Sequence, residues 1–166
     1  MRLTQRTDYT LRVLMYCAAC EGRAKSPTVS EITEAHGISR SHLMKIVMDL
    51  AGLGWLETTR GRGGGLRLLR APASLSLGEI VRQTETDMDM VECFDKHLNS
   101  CRLDGFCRLK GIVKKASRDF IASLNAYTLE DLLEPTAAAR GFKGQLPHLI
   151  PLKKIDQVSK KETGSA

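Results

Sequence analysis

The segment Arg60-Gly61-Arg62-Gly63-Gly64-Gly65 lies between two short runs, Trp55 to Thr59 and Leu66 to Leu69, that read as strands. Four glycines in six residues cannot sustain a helix, because glycine loses the most backbone entropy on ordering, yet they suit a tight reversal. The segment is therefore a hairpin tip. Two strands alone are marginal in water, so this hairpin must lean on whatever precedes it.

What precedes it is helical. Leu11, Leu14, Met15 and Ala18 recur at helical spacing after Thr7, an acceptable cap, and Gly22 is a fitting stop. A second helix is expected from Val29 to Ala35, capped by Thr28 or Ser30 and ended by His36-Gly37. Ile38 then plugs the core, and Ser39 caps a third helix through Leu50 whose Leu43, Ile46, Val47 and Leu50 share one face. Two short helices around a glycine-containing turn form a helix-turn-helix, and a basic hairpin directly after it is a wing. The expected fold is mainly α with a small β-wing: a winged helix-turn-helix followed by a long helix.

That architecture points to double-stranded DNA. The start of the third helix enters the major groove, which nominates Ser39, Arg40, Ser41, His42 and Lys45, with Thr28 at the start of the second helix. Arg60 and Arg62 place charge at the wing tip, where glycines let the backbone approach phosphates. The glycine run is a poor nucleotide-phosphate loop, since it lacks the Lys-Ser/Thr ending and leads into a strand. Charge follows the same division: residues 1–70 carry 11 Lys/Arg against 6 Asp/Glu, residues 71–134 carry 8 against 11, and residues 135–166 carry 6 against 2. A basic region joined to an acidic middle suits DNA binding by one part and a different task in the next.

The second part has its own signature. After a connector, Ala71 to Ser76, and a short helix, Leu77 to Gln83, the stretch from Asp87 to Cys107 shows no sustained period. Such a loop needs something to hold it, and it contains three thiols: Cys93, Cys101 and Cys107. Thiolates are the protein ligands of iron-sulfur clusters, and a cluster normally takes four ligands, so a fourth must come from elsewhere. Beyond Cys107, Leu109, Ile112, Val113, Ala116, Phe120, Leu124 and Tyr127 make a helical stripe, expected to pair with a second copy in a homodimer. The implied organisation is a DNA-binding domain at 1–75, a cluster loop and dimerisation helix at 76–134, and a basic tail from 135 to 166.

Other classes fare less well. The five cysteines, an odd number, fit no secretory disulfide framework, and the apolar run Val13 to Cys20 is far shorter than the ~20 residues of a membrane span. A cytoplasmic protein without a membrane role is expected. No acid-base pair, nucleophile set or nucleotide motif suggests an enzyme. Cys17 and Cys20 have C-x-x-C spacing but lie among Met15, Ala18 and Ala19 on the first helix, which favours core packing. A cluster-free thiol or zinc sensor on the same fold stays open.

Met1-Arg2-Leu3-Thr4, Thr7-Asp8-Tyr9, Leu11-Arg12, the Arg60-Gly61 wing with Gly63 to Gly65, the three-cysteine loop and Tyr127-Thr128-Leu129-Glu130-Asp131-Leu132 occur in an order that resembles the IscR-like family of winged-helix iron-sulfur regulators. Within it, the pattern looks like that of the nitric-oxide-sensing repressors, over roughly residues 1–134. The resemblance implies a homodimeric transcriptional repressor with an iron-sulfur cluster, four-iron four-sulfur (4Fe-4S) in preference to two-iron two-sulfur (2Fe-2S), that releases its operator when nitric oxide destroys the cluster. IscR-type members are similar but place a histidine three residues after the third cysteine, where this chain has Lys110. In the nitric-oxide-sensing pattern the fourth ligand is the aspartate of the first helix, which matches Asp8; His97, inside the loop, is the alternative.

Overall fold

The computed structural model describes residues 2–61, 63–95 and 97–133, with five α-helices and one hairpin: α1 Gln5–Ala19, α2 Val29–His36, α3 Arg40–Gly52, β1 Leu56–Thr59, β2 Gly65–Leu68, α4 Leu77–Thr84 and α5 Arg108–Asn125. The basic tail expected after residue 134 lies outside the described residues.

Helix α1 starts earlier than the sequence suggests. Thr4, not Thr7, is the cap, its hydroxyl accepting from the Thr7 amide. Thr7 is instead wholly buried, its Oγ1 2.9 Å from Thr84 Oγ1 at the end of α4. A polar contact distant in sequence thus outweighs the local capping preference. Val13 and Leu14, both fully buried, carry α1 into the core.

Helix α2 opens with a reciprocal capping box: Thr28 Oγ1 accepts from Glu31 N, and Glu31 Oε2 accepts from Thr28 N at 2.7 Å. After Gly37, Ile38 is buried and Ser39 caps α3. Leu43, Ile46, Val47 and Leu50 face inward as expected. Trp55 is buried at the root of the hairpin, where its amide donates to Leu50 O and its carbonyl accepts from Leu69 N. The strands pair antiparallel with Glu57 opposite Arg67. Leu66 N also donates to Pro27 O at 2.8 Å, which fastens the wing to the turn before α2.

Helix α4 lies against α1 and α5. The chain then returns after α5: Leu77 N donates to Tyr127 O, and Leu129 N to Leu75 O, with the Leu129 side chain fully buried. Between Glu85 and Thr128, by contrast, no described residue is buried. The α5 stripe therefore divides. Val113, Phe120 and Leu124 are half-buried on the protein's own side, joined by Ser117 and Ile121, whereas Leu109, Ile112 and Ala116 face solvent.

Candidate functional site

Two surfaces carry the chemistry. The first is the outward side of α3 with the wing. Ser41 and Lys45 are exposed on α3, and Arg60 is exposed at the wing; Arg62 lies outside the described residues. Other nominated residues have local partners. Ser39 and Thr28 hold helix caps, Arg40 Nη1 donates to Ser30 Oγ at 3.0 Å, and the His42 ring sits 6.5 Å from that of Tyr9. On the wing, Arg67 is bound by Glu57 across the strands at 2.6 Å. Sequence reasoning passes over Met44 and Met48, which are exposed on α3. Their signal is their position, since both fall off the apolar face of that helix.

The second surface is the cysteine loop. Cys93 lies in a single 3-10 turn, Glu92–Phe94, while Cys107 is the residue before α5 and has no side-chain capping bond. All three loop thiols are unpaired and half-buried. Lys110, in the first turn of α5, is held above its ordinary value chiefly by its bond to Asp104, and the Cys93 and Cys101 sulfurs add to that shift. Glu92 and Asn99 brace the loop: Glu92 Oε1 accepts from the amide and hydroxyl of Ser100, and Asn99 Nδ2 donates to Asp104.

As donors these residues suit an iron-sulfur cluster. They are soft thiols, half-buried and free of disulfides. Neither the three thiols nor Asp8 and His97 are brought together: no three His, Cys, Asp or Glu side chains gather into a metal-binding group among the described residues. Asp8 faces an open cleft on α1 and is bound by Arg12, with Nε to Oδ1 at 3.1 Å and Nη2 to Oδ2 at 2.8 Å. Arg12 also lies over the Tyr9 ring at 5.7 Å. His36 shares the cleft. Burial holds its imidazole below the ordinary value, with Arg12 adding to the effect and Asp8 opposing it.

Cys17 and Cys20 are elsewhere, both buried in the core as their apolar neighbours suggest. Burial pushes the Cys17 thiol up to about 12, while Cys20 Sγ accepts from Arg23 at 3.2 Å. No helix of the described residues is long and apolar enough to cross a membrane.

Comparison with known proteins places the chain in a family. The family model Rrf2, described as iron-dependent transcriptional regulator, matches residues 3–135. The HTH-type transcriptional regulator NsrR of Bacillus subtilis is 45% identical over 134 residues, covering 81% of this chain and 91% of that protein. Its counterpart in Geobacillus kaustophilus is 45% identical over 142 residues, covering 86% and 96%. Among solved structures, T. potens IscR superposes with a TM-score of 0.68 at 23% identity, over 87% of this chain and 94% of that one.

Proposed function

This chain belongs to the Rrf2 family of iron-dependent transcriptional regulators, and from that premise we propose that it is a homodimeric, cytoplasmic DNA-binding repressor. Its operator affinity is set by an iron-sulfur cluster that responds to nitric oxide. The observation that carries this reading is the set of three free, half-buried thiols in the loop that leads into α5, on the same chain as a winged helix-turn-helix. Cys93, Cys101 and Cys107 would hold the cluster, and Asp8, supplied by the second copy, would complete it. When bound, such a cluster supplies iron sites that a small diatomic can reach.

The chain's own residues do the remainder. A carboxylate oxygen is a harder and weaker ligand for cluster iron than a thiolate, which suits Asp8 to a site meant to be lost. Arg12 is placed to take the Asp8 carboxylate when it is released. Leu103, Phe106, Leu109 and Ile112 are each exposed, with Phe106 97% exposed, and a second copy is the cover we assign to them. Pairing would set two α3 helices at the spacing of a two-fold site.

The test is an anaerobic visible spectrum before and after stoichiometric nitric oxide, paired with operator binding, on the parent and on Cys93→Ala, Cys101→Ala and Cys107→Ala. Each variant should remain a folded dimer and lose the cluster absorption. A variant that retains full iron and sulfide removes that cysteine from the ligand set. A parent purified without iron, whose DNA binding ignores nitric oxide, overturns the reading.

A further inference from the structure

The outward side of α3 carries two side chains to which hydrogen-bond chemistry gives no role. With Leu43, Ile46, Val47 and Leu50 turned inward, helical geometry puts Ser41, Met44, Lys45 and Met48 on the opposite stripe. Met44 is 39% exposed and Met48 is 68% exposed. They are four residues apart and so lie one above the other on the helix. The residues flanking the stripe have partners: Arg40 reaches Ser30 on α2, while His42 and Asp49 face Tyr9 and Arg6 on α1. What α3 offers a partner is thus a thioether pair with one cation, Lys45, beside it and one hydroxyl, that of Ser41, which lies 3.3 Å from Ser39 Oγ.

On a helix that enters the major groove, such a pair has one fitting counterpart. Thymine presents a C5-methyl group there, and the other groups at base edges are hydrogen-bond donors and acceptors. Methionine is unbranched and adaptable, so it can cover a methyl without exact backbone placement. Lys45 favours the same occupant, since its charge attracts a phosphate backbone and would not attract a neutral apolar peptide. We infer that Met44 and Met48 read thymine methyl groups, two within about two base steps in each half-site, because four helical residues rise about 6 Å. The inference rests on the DNA-binding reading above.

The experiment uses the full chain purified anaerobically and the duplex it selects most strongly from a randomised DNA library. Each thymine of that duplex is replaced in turn by deoxyuridine, which removes only the methyl. The parent should lose about fourfold in affinity at one or two positions per half-site, the equivalent of about 0.8 kcal/mol per buried carbon. Met44→Gln and Met48→Gln should each abolish the loss at one position, and Met→Leu should retain it. Both residues are exposed, so the variants should melt with the parent. A parent indifferent to uracil at every position overturns the inference and leaves the regulator reading intact. So do Gln variants that keep the parent's uracil response, or that change oligomeric state instead of DNA binding. A parent that selects no duplex, with or without cluster, overturns both.

Discussion

The Asp8–Arg12 pair limits how the switch can be driven. Two parallel hydrogen bonds join the groups, but Asp8 is 48% and Arg12 42% exposed. An exposed pair of this kind is worth about 0.2–1 kcal/mol, at most about a fivefold bias. Arg12 can therefore hold a released Asp8 without extracting it from a metal, and ligation has to outweigh the ion pair. Arg12→Ala removes stabilisation from the released state only. It should slow the nitric-oxide-induced spectral change by up to about fivefold, while operator affinity of the cluster-loaded protein stays within about twofold of the parent. On the proposed ligand set, Asp8→Ala removes the fourth ligand and the Arg12 contact together. Three thiols should still retain a cluster, with an altered visible spectrum and weaker operator binding. Both substitutions are at half-buried positions outside the core and should lower stability by less than about 1 kcal/mol, so misfolding would not imitate the result. The assay is anaerobic stopped-flow absorbance with a matched anisotropy titration on operator DNA. If Asp8→Ala matches the parent in spectrum, operator affinity and nitric-oxide response, the reasoning is refuted and His97 becomes the next candidate.

Four further outcomes are expected. A Cβ on Gly78 would lie 2.2 Å from Asn125 Oδ1 and 2.9 Å from the Ile121 carbonyl of α5, so Gly78→Ala should cost about 1–3 kcal/mol in thermal or denaturant unfolding; an unchanged melting temperature would show that α5 can shift freely. The Thr28 amide, with Arg23, holds the Glu31 carboxyl below its ordinary value. Its stabilisation is present above the unfolded value and is lost as pH falls through the folded one, so Glu31→Ala should cost about 1 kcal/mol at neutral pH and converge with the parent in acid; a pH-independent gap would contradict this. Arg60→Ala should weaken binding to specific and random DNA alike and flatten the salt dependence by about one log-log unit, whereas loss on the operator alone would make Arg60 a base reader. In the cluster-free protein, amides from 87 to 126 should exchange hydrogen faster than those of α1, α3 and α4, and equal protection would show that the loop and α5 are stable without a ligand or partner.

The winged helix is legible in the sequence because its signals are local and agree with one another. Ser39 is followed by inward positions at 43, 46, 47 and 50, and the glycine tip comes directly after a strand. The start of α1 is misplaced by three residues for the opposite reason. Thr4 and Thr7 are both acceptable caps, and the choice between them is made by Thr84, 77 residues away from Thr7. Met44 and Met48 escape notice because methionine on a helix normally signals core, although both fall off the face marked by Leu43, Ile46, Val47 and Leu50, and the placement of α3 leaves them exposed. The α5 stripe holds the same ambiguity. Its apolar residues are too many for one interface, and Val113, Phe120 and Leu124 turn toward the protein while Leu109 and Ile112 stay uncovered. Cysteine spacing nominates three thiols, yet spacing says nothing of a ligand distant in sequence. The assignment of Asp8 therefore comes from resemblance.

The distribution of burial says where a signal could enter. The chain through Thr84 holds nearly the whole core, whereas the described residues from Glu85 to Thr128 bury nothing fully. A segment without its own core gains order from whatever binds it, by the linkage through which any ligand stabilises the form it binds. The junction between these regions is the start of α1. Thr4 N donates to Glu85 at 2.8 Å, Thr7 meets Thr84 in a buried contact, and the Arg6 guanidinium reaches both the Thr84 carbonyl and Asp49 of α3. Asp8 follows one residue after Thr7. A pull on Asp8 thus acts on a turn of helix whose side chains touch both the entrance to the cysteine loop and the recognition helix. The ion pair among them is weak, since Arg6 and Asp49 are each more than 40% exposed, whereas the Thr7–Thr84 contact is buried. A weak ion pair suits a junction that must shift without unfolding the core, because Val13 and Leu14 fix the rest of α1 whichever way its first turn moves.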